Sequence, residues 1–305
     1  MVASWIEASP EVAAALRAGA PVVALESAVI SHGLPPGHAL SLAPRLDQVV
    51  RAAGAVPALV VVRDGRVLAG ADPAELGYLV ESGAIKVAER DLPVAVAQRR
   101  SGGVTVSGAL AVAEAAGIEV MATGGIGGVH RGAGETGDVS ADLAALARRP
   151  LVVVCAGPKA ICDPVLTLEA LDAGGVTVVG CGTDTLPAFL ARSTGVAIPY
   201  RADDPRELAG MALAKRRVGS RTALLVVQPP PAAEALPEAE LDAAVGDAVA
   251  RARAEGVRGA ALTPFLLGVI AERTGGRSLV ANLALLEANA RLAAKIAVAM
   301  AADGG

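Results

Sequence analysis

Short apolar runs alternate with amphipathic segments along the chain, and this alternation restricts the fold more than any other feature. Val22–Leu25, Leu151–Cys155, Val176–Gly180 and Thr222–Val227 are apolar runs of strand length, separated by segments with helical periodicity. Strands that alternate with helices are typical of a mostly parallel sheet covered by helices on both faces. The sequence therefore predicts an α/β fold.

One hairpin interrupts this alternation. The apolar runs Val56–Val62 and Arg66–Leu68 flank Asp64-Gly65, a pair that favours a tight turn between antiparallel strands. The predicted sheet is therefore mixed. Further on, the pattern predicts a helix over Asp184–Arg192. The sequence contains no internal repeat and no low-complexity linker, so we predict that residues 1–305 form a single domain.

Composition excludes several classes of protein. A net charge of −4 and an aromatic content of 2% argue against nucleic-acid binding, which needs a basic face or stacking platforms. No apolar window is long enough for a membrane span, and the N-terminus lacks the pattern of a secretory signal. Cys155, Cys162 and Cys181 have no metal-type spacing and are expected to be reduced thiols, so we expect a cytoplasmic protein.

The segment Thr123–Asp142 is the richest in candidate ligand groups. It follows the mostly apolar run Ile118–Met121 and is so dense in glycine that we expect no helix or strand inside it. Its polar side chains suit an anionic ligand or a cation: His130, Arg131, Glu135, Asp138, Ser140 and Asp142. It contains a literal dinucleotide fingerprint, Gly132-x-Gly134-x-x-Gly137, but the motif does not open directly from a strand. A loop between two buried strands is where α/β proteins carry their chemistry.

Lysine is rare in this chain, which makes two of its positions informative. Lys86 lies in the short apolar run Ala84–Val87, and Lys159 follows the buried run Leu151–Cys155. A desolvated lysine can be neutral and nucleophilic, whereas arginine cannot. The alternative is a lysine that extends from a strand end to water, and the residues alone leave both interpretations open.

Two carboxylates complete the candidate set. Glu26 ends an apolar strand, where burial would raise its pKa and suit it to proton donation, unless it only accepts loop N–H groups. Asp138 suits a hard cation held largely through waters, although its spacing also fits a cap for the helix that begins at Ala141. An acid, one or two lysines and an anion-binding loop indicate a lysine-dependent lyase or aldolase acting on a phosphorylated small molecule.

These motifs resemble those of the pseudouridine-5′-phosphate glycosidase family, which includes the indigoidine synthase A-like proteins. The resemblance is carried by Ala24–Ser27, Ile30–Pro35, the twelve residues Ala122–Ala133, Asp138–Leu143, Val154–Lys159, Leu186–Phe189, Thr263–Leu267 and Asn282. It extends over a core of about residues 21–296. It implies a three-layer α/β/α sandwich on a mixed sheet, and a homotrimer.

The resemblance also implies an activity and a role for each matched residue. The activity is reversible cleavage of the C–C glycosidic bond of pseudouridine 5′-phosphate to uracil and ribose 5-phosphate. Lys159 resembles the Schiff-base nucleophile, Glu26 the proton donor, and Asp138 the site of one Mn²⁺ per subunit, bound through waters. Substrate contacts are implied for Lys86, Val106, Ser140, Ala141, Asp142 and Asn282.

The chain also departs from the family pattern, notably at Pro158-Lys159-Ala160 and at Gln228-Pro229. Such departures leave open a C-glycosynthase that attaches ribose 5-phosphate to a ring other than uracil. A non-catalytic sugar-phosphate-binding protein is a third possibility, which the intact Glu26, Asp138 and Lys159 disfavour. A pseudouridine kinase is the expected functional companion of the glycosidase.

Overall fold

One mixed sheet of eleven strands organises the computed structural model, which describes residues 2–73, 76–81, 83–257 and 262–303. The strands are β1 Ile6–Ala8, β2 Val22–Leu25, β3 Val56–Arg63, β4 Arg66–Ala69, β5 Ile85–Val87, β6 Gly102–Val104, β7 Val120–Ala122, β8 Val152–Cys155, β9 Thr177–Cys181, β10 Tyr200–Ala202 and β11 Leu224–Val227. The helices are α1 Pro10–Arg17, α2 Ala28–His32, α3 Pro36–Ala52, α4 Leu76–Glu81, α5 Leu92–Ala97, α6 Val106–Ala116, α7 Ala133–Thr136, α8 Ala141–Leu146, α9 Pro164–Ala173, α10 Pro205–Arg217, α11 Glu238–Ala254, α12 Leu262–Arg273 and α13 Arg277–Asp303.

The strand order confirms the predicted mixed, mostly parallel sheet. The main path runs β1-β4-β3-β2-β7-β8-β11-β9-β10, while β6 pairs with β3 and β5 pairs with β6. Among the paired strands of the described residues, β3–β4 and β3–β6 are antiparallel and the other pairs are parallel. The parallel strands β2, β7 and β8 are neighbours near the middle of the sheet, so their carboxyl ends meet at one edge.

Successive residues of the central strands face two separate hydrophobic cores. In β2, Val23 and Leu25 belong to the core beneath α3, α10, α11, α12 and α13. Val22 and Ala24 point the other way, into the core beneath α1, α5, α6, α8 and α9. Because strands covered on both faces have no polar side, they read in the sequence as continuous apolar runs. The expected three-layer α/β/α sandwich is confirmed.

The predicted hairpin is present, with Arg63 opposite Arg66 across a two-residue turn. Asp64 and Gly65 have φ of 51° and 79°, the left-handed backbone that a tight hairpin turn requires.

Two predictions about helices are wrong, and one falls partly outside the described residues. Residues 184–192 form turns and isolated bridges, because Phe189 takes φ of 64° just after Pro187 and a helix cannot continue through both. The glycine-rich segment does contain a helix, the single turn α7, bounded by Gly132 and Gly137 in the left-handed region. The sequence pattern also predicts a helix over about residues 72–81, of which Leu76–Glu81 is observed as α4, and residues 74 and 75 lie outside the described part. Within the described ranges, no helix combines the length and apolarity needed to cross a membrane.

Candidate functional site

A cavity of about 520 Å³ lies at the carboxyl ends of β2, β5, β7 and β8. Its lining includes the nine residues for which the family resemblance implies a role: Glu26, Lys86, Val106, Asp138, Ser140, Ala141, Asp142, Lys159 and Asn282. Of the other candidate ligand groups in the glycine-rich segment, His130 lines the cavity and Arg131 and Glu135 do not. The nine residues come from positions 26 to 282 of the chain, and only the parallel sheet brings them together. The carboxyl edge of such a sheet is the usual location of a ligand site in an α/β protein.

Lys159 is held by a short ladder between two loops. The loop after β7 and the loop after β8 run side by side, with Lys159 N donating to Ile126 O at 2.9 Å and Ile126 N donating to Gly157 O at 3.1 Å. Gly157 has φ of 84°, and a Cβ there would come within 2.4 Å of Pro187 O. The main chain of the lysine is therefore fixed, and its half-buried side chain faces the cavity.

Glu26 is a buried carboxyl group directly after β2. Its Oε2 accepts a hydrogen bond from Val29 N at 3.0 Å, and its Oε1 lies 3.5 Å from the Thr123 hydroxyl. Burial raises the pKa of Glu26, while Lys159 and, more weakly, Lys86 oppose that rise. The carboxyl therefore accepts a main-chain N–H, although from the first turn of α2 and not from a loop. Its burial also shifts it toward the protonated form.

Lys86 extends from β5 into the same cavity and is half-buried. Burial is the largest effect on the pKa of Lys86 and lowers it. Repulsion from Lys159 lowers this pKa further, whereas the charges of Glu26 and Asp142 raise it. The neighbouring His32 also has a lowered pKa, through burial and then through Lys86. The two lysines and two carboxyl groups thus form one electrostatically coupled set.

Asp142 connects the first turns of two helices to the glycine-rich loop. Its Oδ1 accepts from Ser107 N at 3.0 Å, in the first turn of α6, and its Oδ2 accepts from Gly127 N at 2.8 Å. Ser140 caps α8 by accepting from Asp142 N. Val106 and Ala141, the first residues of the two helices, line the cavity. Helix N-termini attract anions, which suits a phosphate group.

Asp138 is half-exposed and does not cap α8, because Ser140 does. Its Oδ2 lies 2.9 Å from His130 Nδ1. No cluster of three or more His, Cys, Asp or Glu able to hold a metal occurs among the residues described. A hard cation at Asp138 would therefore depend on waters and on ligand oxygens, a set of donors that Mg²⁺ and similar ions accept.

The structure also reveals a buried amide that sequence reasoning missed. Asn289 is completely buried on α13, and its Nδ2 donates to Thr123 O at 2.8 Å and to Gly124 O at 3.2 Å. Asn282, two turns earlier, is also buried, and its Oδ1 has no hydrogen-bond partner. Two asparagines seven residues apart in an Ala- and Leu-rich helix share one face, and that spacing was the available signal.

Comparison with known proteins gives consistent matches over almost the whole chain. A family model described as indigoidine synthase A like protein matches residues 11–299. Pseudouridine-5′-phosphate glycosidases of Herpetosiphon aurantiacus and Myxococcus xanthus are 48% and 47% identical to the chain, and each match covers 96% of the chain and 97% of the relative.

Solved structures share the fold at lower identity. The prealnumycin C-glycosynthase AlnA, in complex with ribulose 5-phosphate, is 36% identical, with a TM-score of 0.90 over 98% of each chain. An indigoidine synthase A-like protein of Thermotoga maritima is 35% identical, with a TM-score of 0.89 over 98% of this chain and 97% of that one.

Proposed function

The chain belongs to the indigoidine synthase A-like family, and from that premise we propose that it is a pseudouridine-5′-phosphate glycosidase. The reaction is reversible cleavage of the C1′–C5 bond of pseudouridine 5′-phosphate, with water, to uracil and ribose 5-phosphate. The observation that carries the proposal is a single cavity lined by a buried acid, Glu26, and by two lysines, Lys159 and Lys86.

The leaving group is carbon, so protonation of a leaving oxygen or nitrogen, on which ordinary glycosidases depend, is not available. Glu26, whose pKa burial raises, gives its proton to the ring oxygen O4′ as the O4′–C1′ bond breaks. The electron pair of that bond leaves with O4′, and the uracil ring stabilises the electron-poor C1′ by conjugation. The amine of Lys159 then adds to C1′, which forms a C–N bond on the opened ribose.

The C1′–C5 bond breaks in the next step. The Glu26 carboxylate first takes a proton from the nitrogen that Lys159 has bonded to C1′, which reprotonates the acid and frees the nitrogen lone pair. That lone pair forms a C=N bond to C1′, and the C1′–C5 electron pair moves to C5 of uracil. A proton delivered to C5 by the Glu26 carboxyl, after it has been reprotonated, completes uracil. Water then hydrolyses the imine, which releases ribose 5-phosphate and restores the lysine amine. The reverse sequence joins uracil to ribose 5-phosphate and releases water.

The phosphate is proposed to lie against Lys86 and the first turns of α6 and α8, at Val106 and Ser140–Asp142. Asp138 would hold the expected Mn²⁺ through waters, one ion per subunit, where its charge balances that of the phosphate. Asn282 offers its unpaired Oδ1 to an N–H group of the base.

Reduction of the imine tests the covalent step. Wild-type protein incubated with ribose 5-phosphate and borohydride should gain the mass of one reduced sugar phosphate, whereas Lys159→Ala should gain none. Lys215, on α10 and away from the cavity, provides the matched control, and Lys215→Ala should be labelled like wild type. Labelling of Lys159→Ala would contradict the role of Lys159. Absence of uracil release from pseudouridine 5′-phosphate would contradict the activity itself.

The likeness to AlnA makes C-glycosynthesis on another ring the second candidate. The two activities share the lysine and the acid but require different base pockets. Incubation of the enzyme with ribose 5-phosphate and a panel of acceptors separates them, because a glycosidase joins uracil most efficiently. The higher identity to the glycosidases favours the first candidate.

We further propose that the protein is a homotrimer and works downstream of a pseudouridine kinase, which supplies the 5′-phosphate. A native mass of three times the 30.2 kDa chain supports the trimer, and a monomer mass contradicts it.

A further inference from the structure

The amide of Asn289 is hydrogen-bonded on three sides, although it lies outside the cavity. Its Nδ2 donates to Thr123 O and Gly124 O, and its Oδ1 accepts from Gln228 Nε2 at 2.8 Å. Two carbonyl oxygens facing Nδ2 identify that atom as the NH₂ group, and the third contact then matches an amide donor to an amide oxygen. Gln228, the first residue of the Gln228-Pro229 departure noted in the sequence, therefore contacts Asn289 directly.

The two carbonyls that Asn289 holds belong to the turn where β7 becomes the glycine-rich loop. Thr123 N donates to Val154 O, so the main chain of Thr123 is fixed from the sheet on one side and from α13 on the other. The Thr123 side chain is buried, and its hydroxyl faces Glu26 Oε1. Gly124, the second residue held, lines the cavity. A displacement of this turn would therefore move the hydroxyl away from the acid.

From these contacts we propose that Asn289 is a positioning residue for Glu26: it fixes the main chain of Thr123 and Gly124, so that the Thr123 hydroxyl is presented to the Glu26 carboxyl. The proposal rests on the proposed function for what Glu26 does, but the positioning itself is a matter of geometry. The 3.5 Å separation is long for a hydrogen bond, and such contacts often shorten when substrate binds.

A double-mutant cycle tests the connection. Asn289→Leu keeps the branched shape of the side chain and removes all three hydrogen bonds, while Thr123→Val replaces only the hydroxyl with a methyl group. Each should lower kcat for uracil release on the order of tenfold or more with little change in KM, because a small misplacement at the reacting centre is costly. If Asn289 acts through Thr123, the double variant should be no slower than the slower single variant. Gln228→Leu should give a smaller loss, and Thr123→Ser should retain activity.

Thr274→Val is the matched control for loss of a buried polar side chain. Thr274 donates to Ile270 O at 2.8 Å, and it does not line the cavity. Its substitution should lower Tm and leave kcat unchanged. Unchanged kcat in Asn289→Leu, or additive losses in the double variant, would overturn the proposal.

Crystal structures of wild type and Asn289→Leu give a readout independent of turnover. The proposal expects the Thr123 hydroxyl of the variant to lie beyond hydrogen-bond reach of Glu26. An unchanged separation would overturn it even if the wild type cleaved pseudouridine 5′-phosphate. If the wild type did not cleave that substrate, the proposed function would fail, and the two structures would still decide the positioning role.

Discussion

At the scale of single residues, the proposed chemistry depends on a carboxyl group that donates a proton. Burial raises the pKa of Glu26 above its ordinary value of 4.5; the charges facing it are Lys159 and Lys86, which lower it, and Asp142, which raises it. An acid catalyst loses activity as pH rises through its own pKa. We expect kcat/KM to fall on the alkaline side and Glu26→Gln to be inactive at every pH. A rate that only rises with pH would contradict an acid role.

The same residue predicts an effect on stability, with a definite sign. Because the folded-state pKa is raised, the native structure disfavours the charged form, and this penalty grows as pH rises above 4.5. Glu26→Gln removes it, so Tm should increase by a few degrees at neutral pH. The gain should disappear as pH falls below 4.5, where the folded and unfolded states both hold the proton. Calorimetry across this range checks the sign, and a gain that is larger in acid would contradict it.

Lys86 predicts a change in binding rather than in chemistry. A hydrogen bond to a charged group contributes about 1.5–3 kcal/mol, so Lys86→Met should raise KM for pseudouridine 5′-phosphate roughly tenfold to a hundredfold. Lys215 is the matched control, since burial lowers its pKa too but its Nζ donates to Ser220 and Thr222. Lys215→Met should leave KM unchanged. A fall in kcat at constant KM for Lys86→Met would contradict this and would indicate that Lys86 takes part in the chemical step.

Residue chemistry was the part of the site most accessible to sequence reasoning. Glu26 and Lys86 stood out because charged side chains are rare in apolar strands, and the structure places both in the cavity. Asn289 did not stand out, because its partners Thr123 and Gly124 lie about 165 positions away and two of its contacts are to main-chain atoms. Only the packing of α13 against the end of β7 reveals what its amide holds.

At the scale of elements, close packing explains why glycine occupies one position of the loop after β7. A Cβ at Gly127 would lie 2.2 Å from Ser140 Oγ and 3.1 Å from Asp142 Oδ2, so it would press on the turn that begins α8. We expect Gly127→Ala to cost about 1–3 kcal/mol and to reduce activity strongly.

Gly134 in α7 is the matched control, because a Cβ there would meet nothing within 4 Å. Gly134→Ala should leave activity intact and gain about 0.5–1 kcal/mol through lower backbone entropy in the unfolded chain. Denaturant titration and uracil release measure both variants. Equal behaviour of the two would contradict the packing argument.

The elements that sequence reasoning missed have physical causes of the same local kind. Strand β6 is Gly-Gly-Val, which carries almost no strand signal, yet a Cβ at Gly103 would lie 1.9 Å from Ser31 Oγ, so contact with α2 selects glycine there. The helix predicted over residues 184–192 does not form. At Phe189, the main-chain N–H donates a hydrogen bond to Ala156 O, in the loop before Lys159, and not to a carbonyl of its own segment. Long periodic segments such as α6 were predictable because their signal is intrinsic; these short ones depend on their neighbours.

At the scale of the whole molecule, the cavity collects side chains from β2 to α13, so ligand binding should stabilise the chain as one unit. Ribose 5-phosphate at a hundred times its Kd should add about 2.7 kcal/mol to the free energy of unfolding and raise Tm by several degrees. The sequence predicts one domain, and we therefore expect a single unfolding transition whose midpoint moves as a whole when ligand binds. Ribose without phosphate should give a much smaller shift, as should ribose 5-phosphate with Lys86→Met. Two transitions, of which only one moves with ligand, would contradict both the single domain and a site built from its whole length.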